Sequence, residues 1–263
     1  MSQVLAGPQL NLLRRAACRP LEPGGYPPMT VSEVLALLDA ERDERGVSNW
    51  EKVGPSTAGM RSYGIGLTRL RKLAKRIGRD RELALALWKT DVYDARVIAL
   101  LIDDPAQITR DQAEAQVEEL AGGMLAHVFA SCDATLAKTS FVVELADQWI
   151  RSADPVRRDC GYGLLYETSK STGRKAPSEQ FFLAHVERIA NTIDGESEKV
   201  RLSMAAALMG IGKRSVALNE AALKVARDVG PIEFTSASGE CEPFDVAKHL
   251  TTDRLREKLG IVS

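Results

Sequence analysis

From Thr30 onward, apolar residues recur three and four positions apart in one short stretch after another, and no stretch alternates at period two. That spacing places each apolar set on one face of a helix and leaves nothing that reads as a strand. Thr30-Val-Ser-Glu33 fits a capping box, in which the threonine hydroxyl accepts from the Glu33 amide and the carboxylate reaches back. Val34, Leu35, Leu37 and Leu38 follow it. Residues 46–62 are polar, broken by Gly and Pro, and read as a loop. Leu67, Leu70, Leu73, Ala74 and Ile77 predict a helix over 66–79, with Gly78 where a glycine ends one. Shorter helices are expected over 80–89 and 94–102, the second stopped by Asp103-Asp104-Pro105. Thr109-Arg-Asp-Gln112 reads as a second capping box that opens a helix through Leu120, where Gly122-Gly123 interrupts. The pattern continues over 125–137, 140–152, 156–169, 178–194, 198–211, 215–229 and 243–258. Aromatics are only 5%, while Ala and Leu abound, which favours helix in the same direction.

A dozen helices with short connections predict antiparallel helix pairs. Val156-Arg157-Arg158 and Val200-Arg201-Leu202 open two such helices 44 positions apart, within the ~40–47 residue period of HEAT and armadillo repeats. The expected fold is therefore all-α: a HEAT-like or armadillo-type solenoid of antiparallel pairs, with an irregular bundle as the plain alternative. A solenoid offers a long curved face to an extended ligand. Residues 30–263 read as one such domain. Residues 1–29 read as a disordered or extension tail, with Arg14, Arg15 and Arg19 against Glu22 alone. An acid-poor leader of that kind is also compatible with a transit peptide, though serine is sparse.

The chain carries 35 basic and 36 acidic residues, which excludes a strongly cationic nucleic-acid binder as a bulk property but not a local basic patch. Cys18, Cys132, Cys160 and Cys241 are scattered without a CxxC, and there are three histidines. A zinc cluster and a disulfide framework are therefore not expected, and reduced thiols in the cytoplasm are. No apolar run approaches a membrane span, and Gly7-Pro8 breaks the N-terminal apolar stretch before it can serve as a signal peptide. No metal or cofactor is implied. His185 and His249 stand alone and read as structural, and Cys160 beside Gly161 and Gly163 predicts close helix packing.

The basic residues cluster. On the 66–79 helix, Lys72, Lys75, Arg76 and Arg79 share one face by their spacing. Doublets occur at Arg157-Arg158, Arg174-Lys175 and Lys213-Arg214. Each cluster alone is an ordinary solvated face. Several on one surface would bind phosphates with a steep salt dependence.

Three segments, in order, resemble the AlkD-like DNA alkylation repair proteins. They are Gly64-Ile-Gly-Leu-Thr-Arg-Leu-Arg-Lys-Leu-Ala-Lys-Arg-Ile-Gly78, Leu83-Ala-Leu-Ala-Leu-Trp88 with Asp94-Ala-Arg-Val-Ile-Ala99 and Ile102-Asp-Asp-Pro105, and Ile211-Gly-Lys-Arg214 with Leu218-Asn219. The likeness spans roughly residues 30–255 and implies a HEAT-like fold. It further implies release of N3- or N7-alkylated purines by hydrolysis of the glycosidic bond. In that chemistry a carboxylate stabilises the oxocarbenium-like sugar and orients water, while two tryptophans border the cationic base.

The resemblance fails at the side chains that carry the reaction. It places Gly123 and Met124 at the family's first Trp and Asp, and His127 at its second Asp. Ala206 stands at the other Trp and Met209 at an Arg. The expected function is thus a non-catalytic, monomeric DNA-binding homologue contacting double-stranded or branched DNA. Its candidate phosphate contacts are Lys72, Arg76, Arg157, Arg158, Lys213 and Arg214. Two alternatives stand beside it. One is an active glycosylase using His127, Glu118, Glu119 or Asp133 in place of the missing carboxylate. The other is a solenoid that binds a protein partner. An imidazolium at 127 would repel a developing sugar cation, which disfavours His127 as the base.

Overall fold

The computed structural model describes residues 29–53, 57–120, 124–174, 176–234 and 242–261. The N-terminal 28 residues, Gly122-Gly123, Lys175 and the stretch Gly239 to Cys241 lie outside that set. Helix follows helix: α1 (Val31–Ala40), α2 (Glu44–Val53), α3 (Leu67–Ile77), α4 (Arg81–Trp88), α5 (Tyr93–Ile102), α6 (Arg110–Val117) and α7 (Leu125–Ala130). A 3-10 turn, Leu136–Lys138, leads to α8 (Val142–Ile150), α9 (Pro155–Ser169) and α10 (Glu179–Thr192). Then come α11 (Glu198–Ile211), α12 (Val216–Val229), α13 (Val246–Leu250) and α14 (Asp253–Leu259). Among the described residues there is no strand. Two isolated bridges, Arg61 with Val92 and Ile232 with Phe244, are the sole extended pairings there.

The elements form two layers. Odd helices α3, α5, α7, α9, α11 and α13 pack side by side in sequence order, and even helices sit behind them, α4 on α5, α8 on α9, α10 and α12 on α11. The predicted repeat is visible in α9 and α11. Ser203 donates to Asp159, its counterpart 44 positions earlier, and Arg214 donates to the carbonyls of Ser169 and Ser171. The two helices therefore run parallel and end at one edge. Apolar side chains form two clusters that share α8 and α9. Trp149, Cys160 and Leu164 face the N-terminal cluster, and Ile150, Tyr162 and Leu165 the C-terminal one.

Cap chemistry starts most helices where the sequence places them. The Thr30 box closes as expected: the Glu33 amide donates to Thr30 Oγ1 at 3.3 Å and the Thr30 amide to Glu33 Oε2 at 2.7 Å. Thr109 caps Gln112 at 3.1 Å, but the return half of that box is replaced. Gln112 instead donates to the buried Asp103 at 2.7 Å and accepts from Arg81 at 2.9 Å.

Three expectations are corrected. Residues 46–62 are not all loop, since α2 occupies 44–53. This helix is polar, so its periodicity is weak. It is held by the buried Val47, by Trp50 Nε1 donating to the Met60 carbonyl at 3.0 Å and by Trp50 against Tyr93 at 4.6 Å. Its Gly46 is there for contact, because a Cβ would fall 2.0 Å from the Gly64 carbonyl oxygen. The helix expected over 125–137 stops at Ala130, because Cys132 and Asp133 turn the chain at φ 57° and 68°. The helix expected over 243–258 is two, α13 capped by Asp245 and α14 following Thr251-Thr252.

The close packing predicted beside Cys160 is present. A Cβ on Gly161 would lie 2.7 Å from the Ile150 backbone nitrogen, so α8 and α9 touch backbone to backbone. Gly161→Ala is expected to destabilise by about 1–3 kcal/mol, read as a lower urea midpoint at unchanged slope. An unmoved midpoint would show that the two helices part without cost.

Candidate nucleic-acid interface

Leu70, Leu73 and Ala74 are buried and fix the rotation of α3. That rotation turns Arg71, Lys75 and Arg79 toward the 3-10 turn Leu136–Lys138. The Lys138 ammonium donates to the Asp133 carbonyl at 2.9 Å. Its pKa is pushed down by burial, then by the like charges of Arg79, Arg71 and Lys75, against an opposing pull from Glu167. Glu167, on the last turn of α9, accepts from Lys170 at 2.8 Å. Lys170 lies 4.1 Å over the Tyr166 ring. At the end of α11, Lys213 is depressed in its turn by burial and by Lys258 and Lys170. Two groups of cations thus make up a row, Arg71, Lys75 and Arg79 about Lys138 and Lys170 and Lys258 about Lys213, with Glu167 between them; within it Arg71 pairs with Asp133 and Lys170 with Glu167. The row follows the edge where the odd helices end, and Arg79 bonds the Asp103 carbonyl at the end of α5, 2.6 Å away, at that same edge.

Cations at helix C-termini also complement the carbonyl ends of the helices. That role accounts for one cation per helix and not for the four gathered at Lys138. Like charges that depress one another are a standing cost, and a bound polyanion removes it.

Inside the row lies a polar centre. His127 projects from α7 with its Nε2 3.2 Å from Cys132 Sγ. Ser131 Oγ donates to the His127 carbonyl at 2.5 Å and stands 3.5 Å from Cys132 Sγ. The hydrogen bond with Cys132 raises the His127 pKa despite burial, helped by the Cys132 charge and by Asp159 and Glu167 on α9. Burial would push the Cys132 thiol up, but hydrogen bonds from His127 and Ser131, with the charges of His127 and Arg71, hold it below the ordinary thiol value. Asp159 is raised by burial, against the Ser203 hydroxyl and the charges of His127 and Lys199.

The residues singled out in the sequence fall in several places. Lys213 joins the row. Lys72 and Arg76 are exposed on α3, and the main charges that bear on Lys138 are those of Arg79, Arg71, Lys75 and Glu167. Arg157 is held by Glu118 at 2.5 Å, Glu114 at 3.0 Å and Asp154 at 3.1 Å. Arg158 is held by Glu196 at 2.7 Å and the carbonyls of Ser152 and Ala153. Arg214 lies 4.3 Å over Phe182 while it caps the α9 carbonyls. Of the candidate acids, Glu118 pairs with Arg157, Glu119 with Arg96 at 3.8 Å, and Asp133 with Arg71. The carboxylates that bear on His127 are instead Asp159 and Glu167, which the sequence reading missed. The 44-residue repeat was the available signal, because it pairs Asp159 with Ser203.

Ala206 and Met209, which the resemblance places at a Trp and an Arg, are half-buried on α11, and Met124, placed at an Asp, is exposed. Among the described residues no group of three or more His, Cys, Asp or Glu is arranged to hold a metal ion. No helix there is long and apolar enough to cross a membrane. His185 is buried beside Phe181 at 4.5 Å, with Asp147 at 3.6 Å.

A sequence model of the family described as DNA alkylation repair enzyme matches residues 34–235. The uncharacterized protein Lin0241 of Listeria innocua is 24% identical over 203 residues, covering 74% of this chain and 84% of that protein. The uncharacterized protein Lmo0209 of Listeria monocytogenes is 24% identical over 205 residues, covering 74% and 85%. A solved structure superposes with a TM-score of 0.73 at 24% identity, covering 88% of this chain and 97% of its own. That structure is described as a new family of proteins related to the HEAT-like repeat DNA glycosylases with affinity for branched DNA structures.

Proposed function

The chain belongs to the DNA alkylation repair enzyme family, and from that premise we propose that it is a monomeric DNA-binding member that holds double-stranded and branched DNA without releasing bases. The observation that carries this reading is the pair of cation groups between Arg71 and Lys258, in each of which like charges bear on one lysine, Lys138 in one and Lys213 in the other. Phosphates spaced along a duplex arm fit such a row, and each neutralised phosphate releases counterions. The affinity for branched DNA recorded for the structural relative supports the choice of ligand.

Loss of catalysis is supported by the chemistry at His127. Its bond to Cys132 favours the imidazolium, which opposes a developing sugar cation where the family resemblance expects a carboxylate. Asp159 favours a second reading, excision with a relocated acid, because it is the buried carboxylate beside His127. Burial also drives Asp159 toward its neutral form, which has no charge to offer an oxocarbenium ion.

The test is base release from methylated duplex DNA under single turnover with excess protein. The expected result is N3-methyladenine and N7-methylguanine at the spontaneous rate. Release above that rate would overturn the reading, and its loss in Asp159→Asn would assign the acid.

A further inference from the structure

The polar centre has a property that DNA binding does not use. Cys132 sits in a left-handed turn immediately after α7, partly open to solvent. A histidine nitrogen and a serine hydroxyl converge on its sulfur. Cys160, the other described free cysteine, is the internal control. It is buried, its thiol donates to the Ala126 carbonyl at 3.9 Å, and burial raises it well above the ordinary thiol value. The charges around Cys132 are mixed: Arg71 bears on the thiol while it pairs with the neighbouring Asp133, and Arg71, Lys75 and Arg79 bear together on Lys138.

We propose that Cys132 is a thiolation site, whose sulfur, 3.2 Å from His127 Nε2 and flanked by Arg71, attacks an anionic low-molecular-weight disulfide of the glutathione class. The Cys132 thiolate forms a new S–S bond to one sulfur of that disulfide while the original S–S bond breaks. Cys132 is oxidised to the mixed disulfide. The other half leaves as a reduced thiolate that takes its proton from solvent, and His127 keeps its own. The attached tripeptide carries carboxylates into the cations that the DNA reading assigns to phosphate. On that reading, thiolation and DNA compete for one surface.

The thiolate state fits the geometry. The hydrogen bond to Cys132 favours the charged His127, with Glu167 adding to it from α9, and Arg71 on α3 adds its charge at Cys132. A thiol lowered in this way reacts at a pH where an ordinary one is mostly protonated.

The experiment uses the full chain, reduced and then exposed to glutathione disulfide near neutral pH, with the modified cysteine located by peptide mass mapping. Cys132 is expected to react about tenfold faster than in the same chain unfolded in urea, and His127→Ala is expected to remove most of that gain. His127→Gln, which keeps a polar side chain at the position, guards against a folding effect and is expected to lose it equally. A native rate no faster than the unfolded one would overturn the proposal, as would a rate indifferent to both variants. This rate is read without DNA, so it stands apart from the DNA reading. The glutathionylated protein is then expected to bind a four-way junction about tenfold more weakly than the reduced protein. Equal binding would overturn the competition. A reduced protein that fails to bind DNA would instead overturn the DNA reading and leave the fast thiol in place.

Discussion

Replacing Lys75, Lys138, Lys170 and Lys213 together with glutamine is expected to weaken binding of a four-way junction by roughly 100-fold or more at about 0.1 M salt. The reason is positional. These lysines stand on four different elements, yet each is tied to the same row by direct contact or by the charges of its neighbours. The cost to the fold is small. Burial and like charges oppose the charged forms of Lys138 and Lys213, which offsets the loss of the Lys138 bond to Asp133 and of the Lys170 pair with Glu167, and the amide of glutamine still donates. Glutamate at Lys72 and Arg76 is expected to weaken binding less, since both sit on the α3 surface beside the positions whose charges act most on Lys138. Anisotropy with a labelled junction checks both variants. A fourfold variant that binds within about threefold of the parent would remove the row from the account.

The second large effect is on stability. Asp94 is fully buried and serves as the acceptor for a whole loop. Its carboxylate takes the Tyr63 amide at 2.7 Å, the Ile65 amide at 3.1 Å and the Ser62 hydroxyl at 2.8 Å. That loop feeds α3, which presents Arg71 and Lys75 and leads through Gly78 to Arg79. Asp94→Ala leaves two buried amides without a partner, each worth about 1–3 kcal/mol, for an expected loss of about 3–5 kcal/mol. Against a total of about 5–15 kcal/mol, a large part of the population would unfold under mild heating. Urea unfolding by circular dichroism measures it. A loss below about 1 kcal/mol would mean that water reaches the loop and satisfies it.

The helices were readable where a cap and an apolar stripe coincide. Thr30, Asp80, Ser178 and Ser215 each accept the amide three residues on, and α3, α11 and α12 begin and end within a residue or two of their expected bounds. The polar α2 escaped because its stability comes from Trp50 and from the approach of Gly46 to Gly64, contacts that no local periodicity encodes. The basic surface was half legible. Spacing put Lys72, Lys75, Arg76 and Arg79 together, but the turn of α3 against its neighbours selects Arg71, Lys75 and Arg79. Lys138 joins them from a 3-10 turn far along the chain. Arg157 and Arg158 read as free cations because their acids, Glu114, Glu118 and Glu196, lie about forty positions away in sequence. Cys132 was hidden inside a helix that ends two residues before it. The left-handed turn that brings its sulfur to His127 has no glycine to announce it.

The most direct test of the central claim is the affinity of the unmodified protein for a four-way junction, followed across salt concentration. Binding through the row predicts a log–log slope steeper than about −4, as expected for five or more neutralised phosphates. It also predicts tighter binding to the junction than to a duplex of the same length. A slope shallower than about −2, or no binding at low salt, would contradict the claim that this edge of the helical layer is a DNA surface.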